Sequence, residues 1–294
     1  RILNIAVFRK ETLYQKMRAL IIYLVISAVF IGCTPILSID ASTQSVYHFS
    51  DTDKNISLLD ISETFGTYDG SFVLYDNNLD SWKIYDLEEA TKRIPPESTY
   101  KIYDALLGLE SGIITPEHSS MTWNGDAFPF PSWEADQDLN SAMQNSVNWY
   151  FQAIDSQLGI NRVQEFLNKI EYGNQTTSSN LDLYWSDFSL KISPLEQVTL
   201  LKKFNTNEFH LNSQNVFSVK NAIKIASTPN GNFYGKTGTG RVNGQDINGW
   251  FIGYVETSDN SYYFATNIQS DSNATGKKAF EITSDILKKL HIWN

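Results

Sequence analysis

Ser98 and Lys101 stand three residues apart in Pro95-Pro96-Glu97-Ser98-Thr99-Tyr100-Lys101, and no other serine in the chain has a lysine at that spacing. The two prolines stop whatever precedes them, and a helix can begin just after. On a helix, residues i and i+3 share a face, so the two side chains can meet. A serine needs a base before it becomes a nucleophile, and a desolvated lysine can supply one. The positive field of a helix N-terminus would steady a developing oxyanion. Taken alone, the same residues also fit an N-cap serine followed by a solvated lysine. A second group is Lys236-Thr237-Gly238, which follows Phe233-Tyr234-Gly235 on a predicted strand. A lysine beside a hydroxyl gives a cation and a donor for a carboxylate. Gly238 removes a Cβ, so a ligand could lie against the strand edge. The N–H of Thr239 could then join that of Ser98 as an oxyanion hole. By itself this triplet also fits an ordinary strand lysine beside a turn glycine.

The elements that must position these residues are readable from periodicity. Residues 71–76 and 82–86 alternate, carry β-branched and aromatic residues, and predict a hairpin. Residues 98–110, 141–158, 161–170, 194–204, 215–226 and 276–290 have helical spacing. Residues 233–236, 249–256 and 261–268 read as strands, with turns at Asn243-Gly244 and at 258–260. Strands come first, then helices, then strands and a last helix. That order predicts an α/β fold of the α+β type, with an antiparallel sheet flanked by helices and an inserted helical subdomain.

The whole chain has 294 residues and a net charge of −10, which argues against nucleic acid as a partner because that requires a basic surface. A single cysteine, Cys33, excludes an internal disulfide, and four scattered histidines without an HExxH pattern predict no metal site. Residues 19–37 carry no charge. At roughly 1.5 Å per residue, a helix of that length is about enough to cross ~30 Å of hydrocarbon. Before the run stand Arg1, Arg9, Lys10, Lys16 and Arg18 against Glu11; after it, Asp40, Asp51 and Asp53 precede the first base, Lys54. The positive-inside rule then predicts a cytoplasmic segment over 1–18, a transmembrane helix over 19–37, an extracellular tether over 38–64 and an exterior domain over 65–294. A competing expectation takes Met17 as a start and 17–33 as a secretory signal ending at a lipid-modified Cys33. The first residue is Arg rather than Met, which leads to the expectation of a fragment or a processed chain.

SxxK followed by KTG is a signature of serine β-lactamases and penicillin-binding proteins. With Tyr172-Gly173-Asn174 between them, the constellation resembles the class D β-lactamases and their relatives over about residues 65–292. STYKIYDALLGLESG resembles the class D nucleophile helix, and NGWFIGYVE the strand after KTG. Within that superfamily the chain is most similar to the sensor domains of the BlaR/MecR signal transducers, on STYK, QNSVNWYFQ, YGN and KTGTG. This resemblance implies a β-lactam receptor acylated at Ser98, with Lys101 as base and Ser146 relaying a proton. It implies Lys236, Thr237 and Thr239 as carboxylate holders, a long-lived acyl-enzyme, and an upstream membrane module with a zinc protease as partner. It implies no bound cofactor, other than the CO2-derived carbamate that class D enzymes form on the lysine corresponding to Lys101.

Two departures from the class D pattern matter. Ser146-Val147-Asn148 has an amide where those enzymes usually have an apolar residue. Carbamate formation needs a neutral lysine in an apolar pocket. Trp185 matches the tryptophan that bonds the carbamate, whereas Asn148 could bind the free amine and compete with it. The basic residue on the last helix that holds the substrate carboxylate could match Lys277 or Lys278, and spacing does not choose. The competing expectations are an exported class D β-lactamase that turns over and a penicillin-binding protein acting on peptidoglycan.

Overall fold

Apolar residues alternate along the long strands and send two different sets of side chains to the two faces of one sheet. The computed structural model describes residues 55–294. Its strands are β1 (Ile56–Leu58), β2 (Asp69–Asp76), β3 (Ser81–Tyr85), β4 (Lys224–Thr228), β5 (Gly231–Val242), β6 (Gln245–Glu256) and β7 (Ser261–Gln269). They form a seven-stranded sheet in the order β1-β3-β2-β7-β6-β5-β4. All neighbours are antiparallel except β1, which runs parallel to β3. The β5–β6 hairpin closes between Val242 and Gln245 through Asn243-Gly244, both at positive φ, as a two-residue turn matching strand twist requires.

On one face, Phe72, Leu74, Phe251, Phe264 and Ile268 pack against the last helix through Ala279, Ile282 and Ile286. On the other, Val73, Tyr75, Ile252, Tyr254 and Ala265 meet the helices inserted between β3 and β4. With both faces covered, β2, β7 and β6 are buried over most of their length. The helices are α1 (Ser62–Phe65), α2 (Leu87–Thr91), α3 (Lys101–Glu110), α4 (Leu139–Gln144), α5 (Asn148–Leu158), α6 (Ile160–Ile170), α7 (Pro194–Asn205), α8 (Ser213–Ala222) and α9 (Gly276–Lys289). α3 is buried from Lys101 to Leu109, and a helix buried all round is the central pillar of its layer.

Four sequence expectations change. The helix predicted over 141–158 is two helices, because Asn145-Ser146-Val147 breaks it and Ser146 takes a left-handed φ of 54°. The helix predicted over 215–226 ends at Ala222. Residues 224–228 instead pair with the open edge of β5, whose unmatched backbone groups outweigh helical periodicity. The tether predicted over 38–64 gives way at its end, since β1 pairs with β3 and α1 follows it within residues 55–65. Three strand residues are too few to show alternation in a sequence. The strand predicted at 233–236 runs on through the KTG triplet to Val242. The predicted transmembrane run 19–37 lies outside the described residues. Among the described residues, no helix is long and apolar enough to cross a membrane.

Candidate active site

Pro95-Pro96 bring the chain against side chains of β6, which hold it there. Asn248 Nδ2 and Trp250 Nε1 both donate to the Pro95 carbonyl, at 3.1 and 2.8 Å. The next residues, Glu97–Tyr100, form one turn of 3-10 helix that runs into α3. Glu97 sits at a φ of 53°, and its N–H donates to the Trp185 carbonyl at 3.0 Å. Thr99 Oγ1 donates to the Pro96 carbonyl at 2.6 Å and accepts from Gln197 Nε2 at 2.9 Å. Ser98 is thus carried on a turn fixed on three sides, and it remains partly open to solvent.

Lys101 is fully buried and points at the nucleophile. Its Nζ lies 3.0 Å from Ser98 Oγ, 2.8 Å from the Ser146 carbonyl, 3.2 Å from Ser146 Oγ and 2.5 Å from Asn148 Oδ1. Burial, aided by the Lys236 cation, pushes this amine well below the ordinary lysine range. A neutral amine has two N–H donors and one lone pair. The Ser146 carbonyl and the Asn148 carbonyl oxygen can only accept, so together they take both donors. The lone pair is left for a serine hydroxyl, the arrangement a general base needs.

The break between α4 and α5 serves this geometry. The left-handed Ser146 turns both its carbonyl and its hydroxyl inward, and Asn148 opens α5 beside the same amine. Ser146 Oγ also accepts from Lys236 Nζ at 2.9 Å. Lys236 is buried, which lowers its amine to about 7. The serine hydroxyl therefore bridges two lysines. Thr237 is half-buried on the same strand edge, and a cleft of ≈ 360 Å³ runs past Lys236 and Thr237 to Met143, Ile223 and Phe280. Thr239 is exposed, and its Oγ1 accepts from the Gly276 N–H at 2.8 Å.

Gly238 has a different role from the one its motif suggested. A Cβ there would stand 3.1 Å from the Pro96 carbonyl and from Glu97 Cβ, and 3.3 Å from Ser98 N. The missing side chain lets β5 close on the nucleophile turn, rather than making room on the outer edge. Trp185 lies buried behind Tyr100, with ring centroids 6.3 Å apart. The Trp185 carbonyl holds Glu97, and its indole makes no hydrogen bond to Lys101. Tyr172-Gly173-Asn174 stands away from the amine. Tyr172 packs its ring on Tyr100 and Tyr103, and Asn174 ties down the backbone of 189–191. Lys278 pairs with Glu281 at 3.3 Å, and Lys277 is exposed.

Sequence reasoning missed Glu97, a buried acid that desolvation raises to about 8 despite the Asn248 amide at 3.2 Å. The signal was present, since an acid directly before the nucleophile faces its backbone turn. It also missed Asp104 and Asp155, two acids inside apolar helices.

The family model for the penicillin-binding protein transpeptidase domain matches residues 66–288. The chain is 43% identical over 296 residues to the regulatory protein BlaR1 of Bacillus licheniformis, covering 100% of this chain and 49% of that protein. It therefore spans about half the length of that curated relative. Its structure is similar to the C-terminal domain of the Bacillus licheniformis BlaR penicillin-receptor, with a TM-score of 0.79 and 46% identity over 82% of this chain and 98% of that one. The class D β-lactamase BAT-2 is similar at a TM-score of 0.75 and 36% identity, over 80% of this chain and 97% of that one.

Proposed function

Because the chain belongs to the penicillin-binding transpeptidase-domain family, and within it to the BlaR/MecR group of receptor domains, we propose that it is a β-lactam receptor acylated at Ser98. The observation that carries this reading is the buried Lys101 amine, 3.0 Å from Ser98 Oγ and within reach of two oxygens that can take both of its donors.

In the proposed reaction Ser98 Oγ attacks the lactam carbonyl while Lys101 takes its proton. The N–H groups of Ser98 and Thr239 receive the oxyanion. Ser146 passes a proton to the leaving nitrogen and is resupplied by the one Lys101 took from Ser98, while Lys236 on its far side keeps its charge for the substrate. Lys236, Thr237 and Thr239 hold the substrate carboxylate. The acyl ester then persists, because the free Lys101 amine, held by the Ser146 carbonyl and Asn148 Oδ1, does not replace the carbamate that would activate water.

Class D enzymes owe their deacylating base to a carbamate on the corresponding lysine. Here such a carbamate would set its negative oxygens against the Ser146 carbonyl and Asn148 Oδ1, both acceptors. A nearby ring, Phe151 at 5.5 Å from Nζ, and the buried Trp185 supply the apolar setting that favours carbamate. Asn148 tips that balance toward the free amine. Residues 19–37 anchor the domain outside the cell, and acylation is relayed inward to a membrane-embedded protease module upstream, ending in induction of resistance genes.

The experiment is intact-mass and peptide analysis after benzylpenicillin. One adduct is expected, on the peptide that contains Ser98, and it should vanish in Ser98→Ala. An unchanged adduct in that variant would overturn the assignment.

A further inference from the structure

Lys101 has an acidic neighbour that the reaction above does not use. Asp104 follows it by three residues on α3, so both side chains leave the same face of the helix. Asp155 reaches the same place from α5, the helix that opens at Asn148. Both acids are fully buried. The Lys101 amine bonds to Ser98, Ser146 and Asn148 and not to Asp104. Both oxygens of Asp104 and Oδ2 of Asp155 have no donor, although the two carboxyls lie within hydrogen-bonding reach of each other.

Two ionised carboxylates cannot stay in that position. Each could only accept, each would lack solvent, and each would repel the other. One proton between them turns a pair of acceptors into a donor and an acceptor. The Tyr184 O–H donates to Asp155 Oδ1 at 3.3 Å, which stabilises charge on Asp155 and leaves the proton to Asp104. Burial holds both carboxyls well above the usual carboxylate range. The other ionisable groups facing the pair are Tyr100 on the 3-10 turn, Lys101 on α3, Tyr150 on α5, and Asp182 and Tyr184 on the segment before α7. Lys101 is the one cation-forming group among them.

We infer that Asp104 and Asp155 share a single proton, and that the one negative charge they keep makes them positioning residues for Lys101. The inference rests on the reading of Ser98 as nucleophile and Lys101 as base. When Ser98 attacks, its O–H bond breaks, its electron pair forms the bond to the lactam carbon, and Lys101 gains the proton. The buried charge behind the amine favours that cation until the proton moves on toward the leaving nitrogen. A pair carrying two protons would give the lysine no such support.

The test is the pH profile of adduct formation with benzylpenicillin in the unmutated chain and in the Asp104→Asn/Asp155→Asn double variant. Acylation needs the neutral amine, so its rate rises with pH through the Lys101 titration. Removing the anionic charge weakens proton binding, and the acid limb should move down by about one pH unit. An acid limb that stays in place would mean the acids only fill space. Infrared spectroscopy near neutral pH reads the shared proton without relying on catalysis. A protonated-carboxyl band should remain in Glu97→Gln, which removes the other raised acid, and disappear when Asp104→Asn is added to that variant; its absence from Glu97→Gln alone would overturn the pair. If the unmutated chain forms no adduct on Ser98, the reading of the site fails, while the infrared result still decides whether the proton is shared.

Discussion

Lys101 is where residue-scale chemistry decides between a receptor and a hydrolase. Its amine can hold a proton, take up CO2 or accept from a serine; burial disfavours the first and the two acceptor oxygens at 2.8 and 2.5 Å disfavour the second. A net hydrogen bond is worth roughly 0.5–1.5 kcal/mol, or up to about tenfold in a population. Replacing Asn148 by Val removes one of these acceptors and returns the site toward the apolar class D pattern. Asn148→Val is expected to speed loss of the acyl group by up to about tenfold. Added bicarbonate should enlarge the effect, and ¹³C-bicarbonate should give a carbamate signal by NMR. If decay and carbamate signal both match the unmutated chain, Asn148 has only a structural part. The site was well legible at this scale, because Ser98, Lys101, Ser146, Asn148 and Lys236 converge as their motifs suggested. Glu97, Asp104 and Asp155 were not, because burial creates their altered chemistry and single residues in a sequence carry no burial signal.

Between elements, the approach of β5 to the nucleophile turn is set by an absent Cβ. Gly238→Ala would place a methyl 3.1 Å from the Pro96 carbonyl and 3.3 Å from Ser98 N, so the strand and the turn must separate by a few tenths of an ångström. Misplacement of a reacting group by about 1 Å can cost roughly a hundredfold. The smaller shift here should slow acylation by about tenfold, with stability falling by about 1 kcal/mol. Stopped-flow acylation and thermal unfolding would check both, and an unslowed acylation would show that the contact does not position Ser98. Local conformation was the least legible part of this scale. Helical periodicity runs straight through 145–147, and only the inward turn of Ser146 to two lysines explains the break. The conversion of 224–228 from predicted helix to strand has the same origin, since an unpaired edge of β5 is visible only once the sheet exists.

For the whole molecule, the split of strands between the two ends of the sequence was enough to predict one sheet with a helical insertion. The neighbouring positions of β2 and β7 bear this out. The parallel addition of β1 was hidden by its brevity. The charge asymmetry around residues 19–37 makes a separate prediction about where this fold works. Protease added to intact protoplasts should remove the domain and leave the membrane-held part protected; a protected domain with a cleaved tail would reverse the orientation, and a lipid on Cys33 would favour the exported lipoprotein. The central claim is that the site accepts a β-lactam and then does not release it. Its most direct test is the lifetime of the Ser98 adduct, followed by intact mass after excess benzylpenicillin has been removed. The account predicts an adduct that lasts for hours with negligible turnover of nitrocefin. Return of the unmodified mass within minutes, with rapid nitrocefin hydrolysis, would contradict it and make this domain a class D β-lactamase.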